Sequence, residues 1–302
     1  MRRLILAAFL AAAPLAVPAA AAPAPQTMTC PIGGGSFTFT PGEPGAVIGT
    51  RPDGKPYGAS AFPFPLPECP GNGLVLYKQY TPEEVAKLEP IVASDAYQAL
   101  RTSDTSYYRA YRLMKDMGLG PEDYLWVLLQ ASWQADGKPE LKTRYLTELV
   151  EGSAAAEPRP DDLNWIGMEA RSANALRELG RFDEALARLD RIPTGPLDVR
   201  VPLGQATDPA VREAKSRRAW LDYMKELRAV IALKDRSPEP FDLIPRAVAL
   251  DRCLKVESAK LSAGDGAFCQ RESAAVQALR TKRDQAAREA EALRQSRETS
   301  GR

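Results

Sequence analysis

The chain has 302 residues, with 40 Lys and Arg against 39 Asp and Glu, and no histidine. Without histidine there is no Ser-His-Asp or Cys-His catalytic device and no His-ligated zinc or haem site. The near-zero charge balance removes the basic face that nucleic acid or an anionic membrane surface would demand, while the length suffices for one large domain or two smaller ones.

Met1-Arg2-Arg3 precedes an almost wholly apolar run from Leu4 to Ala22. A short basic start, an apolar core and a small-residue end describe a secretory signal peptide over residues 1–21, cleaved after Ala20 or Ala21. The run is short and interrupted by Pro14 and Pro18, which argues against a retained membrane helix. Thr27-Met28-Thr29 lacks the residues of a lipid-attachment box before Cys30. The mature chain is therefore expected to be soluble and periplasmic, with no stable membrane insertion after cleavage. The Ala/Pro-rich stretch 22–29 is expected as a disordered lead.

Residues 22–80 are rich in Gly, Pro and aromatics and predict a small β-ribbon-like head. Cys30-Pro31-Ile32-Gly33-Gly34 and Cys69-Pro70-Gly71-Asn72-Gly73 each read as half of a zinc knuckle that has lost its second cysteine. A zinc knuckle needs two thiolates about three residues apart and a glycine for the tight turn; Gly33 and Asn72 occupy the second ligand's place. One cysteine per knuckle in an exported chain points to a disulfide instead of a metal. Ser36-Phe37-Thr38-Phe39-Thr40 alternates polar and apolar as a half-buried strand does, and Leu74-Val75-Leu76-Tyr77 is a second strand candidate. Between them, Ala61-Phe62-Pro63-Phe64-Pro65-Leu66-Pro67 cannot be a central strand and is expected to lie extended, burying Phe62, Phe64 and Leu66.

From Thr81 the pattern becomes helical, giving a mainly α domain over residues 81–295. Thr81-Pro82-Glu83-Glu84 combines a cap, a first-position proline and first-turn acids, and Val85, Leu88 and Val92 follow on one face. Further helices are predicted over about 105–117, from Gly120-Pro121, and around Leu141 to Val150. The clearest hairpin is 161–179 with 182–192, broken at Gly180-Arg181. A loop covers 193–208, and a long helix runs from Asp208-Pro209 to about residue 234. Phe241 to about residue 260 and Ala267 onward are the last two helices. Residues 296–302 are expected as a disordered tail on a solvated helix, because Arg283 interrupts the heptad positions of Val276, Leu279, Ala286, Ala290 and Leu293.

Cys30, Cys69, Cys253 and Cys269 allow three pairings. Proximity in sequence favours Cys30–Cys69, tying the knuckles together, and Cys253–Cys269, clamping two helices across a turn at Ser262-Ala263-Gly264-Asp265-Gly266. Neither pair has the Cys-x-x-Cys spacing of a redox centre.

The stretch from Ala173 to Leu186, with small Ala173 and Ala185, turn-forming Gly180 and plugging Phe182, resembles the centre of a tetratricopeptide repeat. Such a unit implies an array of stacked helical hairpins. Joined to the two Cys-Pro knuckles, it gives the chain a resemblance to an uncharacterised bacterial family with a zinc-ribbon-like head and a tetratricopeptide-like helical body. The family's full four-cysteine head is missing here, so the resemblance implies the two-part architecture without a metal, a cofactor or an activity.

The densest polar-aromatic cluster is Arg101 to Tyr111. Arg101, Asp104, Tyr107, Arg109 and Tyr111 are candidate partner-binding residues, since Tyr and Arg dominate binding hot spots; Asp104 or Ser103 is a candidate helix cap. Trp126 and Trp133 are expected in the core. Glu83/Glu84, Glu122/Asp123 and Asp161/Asp162 stand at helix starts, where the helix dipole accounts for them without catalysis. No residue is assigned a catalytic role. The function expected is a non-enzymatic interaction or scaffold protein that presents its helical array to a protein or peptide. The alternative is a carboxylate-dependent enzyme acting on cell-envelope polymers, which requires two acids converging in a deep groove.

Overall fold

The computed structural model describes residues 23–300, so the expected signal peptide lies outside the described residues. Two small antiparallel hairpins come first. β1 (Gln26–Thr29) pairs with β2 (Ser36–Phe39) from Gln26 opposite Phe39 to Thr29 opposite Ser36, and β3 (Val47–Thr50) pairs with β4 (Pro56–Gly58). Among the described residues eleven α-helices follow.

The head follows from its two knuckles. In each, the cysteine N–H donates to a carbonyl five residues on (Cys30 to Gly35, 2.8 Å; Cys69 to Leu74, 2.9 Å), and the cysteine carbonyl accepts from the N–H four residues on, of Gly34 and Gly73. Gly33, Gly34 and Gly73 sit at φ of +86°, +67° and +73°, where only glycine is unstrained. Cys30 and Cys69 form a disulfide with Cα atoms 5.6 Å apart. Asn72, in the position of the absent ligand, accepts a bond from the Leu74 N–H (3.0 Å) and donates to the Ile32 carbonyl of the other knuckle (3.1 Å). A sulfur bridge and an amide side chain thus join the two loops.

Several expectations for the head change. Gln26–Thr29 is a strand, where a disordered lead is expected, because β2 needs a partner for its open edge. Residues 74–77 form only an isolated bridge, Val75 to Glu68, since Leu74 and Val75 are spent against helices and have no long neighbour strand. The Gly/Pro-rich segment between the knuckles contains the β3–β4 hairpin, and its Phe62, Phe64 and Leu66, expected to be buried, are half-buried. Cys30, Cys69, Leu74 and Val75 share one apolar cluster with Leu88, Val92, Tyr97, Ala110 and Leu113, so packing is continuous across residue 80.

The body begins with α1 (Pro82–Ala93), whose Thr81–Glu84 capping box is fully formed. α2 (Asp95–Ser103) is not among the expected helices, because Ser94 ends α1 and caps α2 at once and no loop marks the junction. Then come α3 (Ser106–Asp116), α4 (Pro121–Gln134), α5 (Pro139–Ala154), α6 (Leu163–Glu178) and α7 (Phe182–Asp190), each packed on the next from α3 onward. α3 is capped by Thr105, not by Asp104 or Ser103. α6 is buried over most of its length, and Gly180 (φ +80°) closes the α6–α7 hairpin, with the Arg181 N–H donating to the Leu176 carbonyl at 2.8 Å. Trp126 and Trp133 pack half-buried on the central core. α8 (Pro209–Ala232) crosses α6 and α7.

The C-terminal part comprises α9 (Arg246–Lys255), α10 (Ala263–Arg271) and α11 (Ser273–Ser300). The Cys253–Cys269 disulfide joins α9 to α10, with Cα atoms 5.7 Å apart. The expected turn at 262–266 is instead the start of α10: Ser262 caps it by accepting from the Asp265 N–H, and a cap outweighs the two glycines that follow. The chain stays helical to Ser300, where a disordered tail from residue 296 is expected; residues 301 and 302 lie outside the described residues. Every described side chain from Arg280 to Arg297 is exposed. No helix among the described residues is long and apolar enough to cross a membrane.

The β3–β4 turn binds the body together. It is closed by Gly54 N–H to Arg51 carbonyl (2.9 Å) and Arg51 N–H to Lys55 carbonyl (2.8 Å). The Pro52 carbonyl accepts from Arg171 of α6 and from the Tyr223 hydroxyl of α8 (2.7 Å). The Arg51 guanidinium contacts Asp53 (2.6 Å), Asp136 (2.7 Å) and Glu239 (3.4 Å). Tyr57 of β4 packs on the C-terminal apolar cluster of Phe241, Ile244, Leu250 and Phe268. One short strap therefore touches α6, α8, the end of α4 and the C-terminal part.

Candidate functional site

Of the five residues singled out from the sequence, Arg101, Tyr107 and Arg109 bind the head across its seam with the body, while Asp104 lies within the body, between α2 and α5. Arg101 donates to the Pro70 (3.1 Å) and Gly71 (3.2 Å) carbonyls. Arg109 grips Glu68 with both terminal nitrogens (2.7 and 2.6 Å) and reaches the Gly73 carbonyl (3.1 Å). The Tyr107 hydroxyl donates to the Phe64 carbonyl at 3.0 Å. Asp104 accepts from Arg144 and from the Tyr145 hydroxyl. Within the polar-aromatic density that reads as a recognition surface, Arg101 and Arg109 satisfy carbonyls that the chain's own Cys69 knuckle leaves unpaired.

Tyr111 stands apart, on the wall of a cleft of about 550 Å³ between α3, α4 and α5. Two helical stripes form it. Tyr108, Tyr111, Arg112 and Lys115 line the α3 side, and Glu148, Glu151 and Gly152 the α5 side, with Tyr124 of α4 between them. Spacings of three and four residues put each set on one helix face. The Tyr108 hydroxyl donates to Glu148 Oε1 at 2.8 Å and fixes the register of the two stripes. Gly152 permits the close fit of α5 on α4, since a Cβ there would lie 2.8 Å from Leu125.

The rings form a connected set. Tyr108 stacks on Tyr145 with centroids 4.4 Å apart, and Tyr111 lies 5.4 Å from Tyr108 and 5.5 Å from Tyr124. The Lys115 ammonium sits 5.9 Å from the Tyr111 centroid, and the Arg144 guanidinium carbon 4.9 Å from that of Tyr108. Burial, with the neighbouring Glu148 carboxylate, pushes the Tyr108 hydroxyl up to about 12 and raises that of Tyr111 as well. Both hydroxyls are thus protonated donors at neutral pH. The arrangement offers aromatic surface, fixed donors, the cations Arg112 and Lys115 with Arg144 beside them, and the anions Glu148 and Glu151, which are the components of a polar binding site.

Carboxylates also gather beneath the strap, around Asp53, Asp136, Glu178 and Glu239. Here each acid faces a cation: Arg51 holds Asp53, Asp136 and Glu239, and Lys142 lies 2.8 Å from Asp136 and 3.7 Å from Glu178. Burial raises the Glu178 pKa. Asp136 is also partly buried, which alone would raise its pKa, but hydrogen bonds from Arg51, Lys142 and Lys55 hold it well below the usual carboxylate range.

Tyr108, Tyr124, Glu148 and Glu151 were not singled out from the sequence. Their signal is the pair of stripes, four residues on α3 and three on α5 at spacings of three and four, on helices that are themselves predicted. Comparison with protein-family models, curated proteins and solved structures finds no match to this chain.

Proposed function

We propose that the protein is an exported, periplasmic interaction protein without catalytic activity, which docks a protein or peptide partner in the tyrosine cleft of a tetratricopeptide-like helical-hairpin body. The two disulfides support the oxidising address, and the consecutive packing of α3 to α7 supports the hairpin-array reading. The observation that carries the proposal is the cleft itself: three tyrosines beside unlike charges, held by helices on both sides. The carboxylate-enzyme alternative receives less support, because the buried acids beneath the strap are matched by Arg51 and Lys142.

The test is a photoreactive phenylalanine introduced in cells in place of Ala155, an exposed residue on the wall of the cleft. A specific crosslinked partner is expected, and Tyr124→Ala with Glu148→Ala should abolish the crosslink while the purified variant keeps its fold. A crosslink indifferent to both substitutions would refute the cleft as the docking site.

A further inference from the structure

Within the cleft the charges are segregated. The α3 stripe ends in Arg112 and Lys115, whereas the α5 stripe carries Glu148 and Glu151 and then narrows to Gly152. Since Tyr108 meets Glu148 at 2.8 Å, the two stripes start level, and the long cations face the small end of the other stripe. That mismatch leaves the open volume. Across it no ion pair forms: Lys115 and Glu151 have none among the described residues, and Arg112 has only Asp116 of its own helix, at 3.9 Å. The α3 wall therefore presents cations and the α5 wall anions, with tyrosine rings between; Arg144, the cation on the α5 side, is engaged by Asp104 and the Tyr108 ring.

We infer that the cleft selects a peptide segment carrying an anionic and a cationic side chain close together, the anion toward Arg112 and Lys115 and the cation toward Glu151 and the rings. This rests on the reading of the cleft as a peptide-docking site and names the class of partner. A segment of one sign would meet a like-charged wall, which opposes binding, while a mixed segment meets an opposite charge on each side. The aromatic faces add to the hold on the cation, as the Lys115 ammonium over Tyr111 already illustrates.

The experiment titrates the isotope-labelled mature chain with four capped tripeptides, Glu-Gly-Lys, Glu-Gly-Glu, Lys-Gly-Lys and Gln-Gly-Gln, and follows backbone amide shifts. The mixed peptide is expected to bind about tenfold more tightly than the others, moving amides near residues 111–115 and 148–152. Lys115→Gln should erase its advantage over Lys-Gly-Lys, and Glu151→Gln its advantage over Glu-Gly-Glu; both positions are exposed, so the fold is expected to survive. Equal affinity for all four peptides, or tightest binding by a single-sign peptide, overturns the inference and leaves the docking site standing. Failure of every peptide to move cleft amides overturns both, as does cleft binding by an uncharged oligosaccharide in their place.

Discussion

Replacing Arg51 by Met should be among the most damaging single changes in the molecule. The guanidinium donates to Asp53 at 2.6 Å and to Asp136 at 2.7 and 3.3 Å. Asp53 is 2% exposed. Without Arg51, its carboxylate keeps only the Lys55 N–H (3.0 Å) and a Lys142 ammonium 4.0 Å away. Stranding a buried charge in this way costs about 3–5 kcal/mol, or a fall of roughly 10 °C in melting temperature for a chain of this size. Thermal and urea unfolding followed by circular dichroism would measure it. The double variant Arg51→Met with Asp53→Asn removes both charges and should recover at least about 1 kcal/mol of the loss. A single-variant loss below about 1 kcal/mol, or a fully additive double variant, would refute the idea that the strap is held by this buried charge pair.

Asp136→Asn tests the same cluster by pH. The Asp136 pKa is lowered on folding, so its stabilisation is complete above the unfolded-state value of about 4 and is lost as pH falls below it; the variant should flatten the acid limb of the stability profile and lose most at neutral pH. Cys253→Ser with Cys269→Ser should cost about 3 kcal/mol and Cys30→Ser with Cys69→Ser about 4, in order of loop length, read by urea denaturation. Asn72→Ala, which unties one knuckle from the other, should cost about 1–2 kcal/mol. Gly180→Ala forces a side chain into a left-handed conformation and should lower stability by about 1 kcal/mol; an unchanged melting temperature would contradict that.

What was readable in the sequence was what local chemistry decides. Thr81-Pro82-Glu83-Glu84 announces a helix start because cap, proline and acids act within one turn, and Gly180 announces a hairpin because no other residue suits its backbone. What escaped depends on distant partners. Gln26–Thr29 has no strong strand character and becomes β1 only because β2 offers an edge. Ser262 to Gly266 looks like a turn by composition, yet Ser262 is a cap whose helix packs Phe268 against Phe241. Arg101 and Arg109 were visible as unusual, but their use was not: the carbonyls they satisfy lie some 30 to 40 residues earlier in the chain. The cleft was hidden for a related reason, since it is made by two helices on either side of a third.

The knuckles also impose an order of assembly. The turn carbonyls of the Cys69 knuckle, at Pro70, Gly71, Asn72 and Gly73, are capped by Arg101, Gln98, Tyr97 and Arg109, so a nascent chain that has emerged only to Tyr80 holds both N-terminal loops but none of the side chains that complete the second. Both sulfurs of the first bridge arrive before α2 and α3 do. The cross-link can therefore close early, while the second of the loops it joins stays unfinished until residue 109 is available, and a fragment cut at the head's apparent border should be oxidised yet hold that loop unstructured.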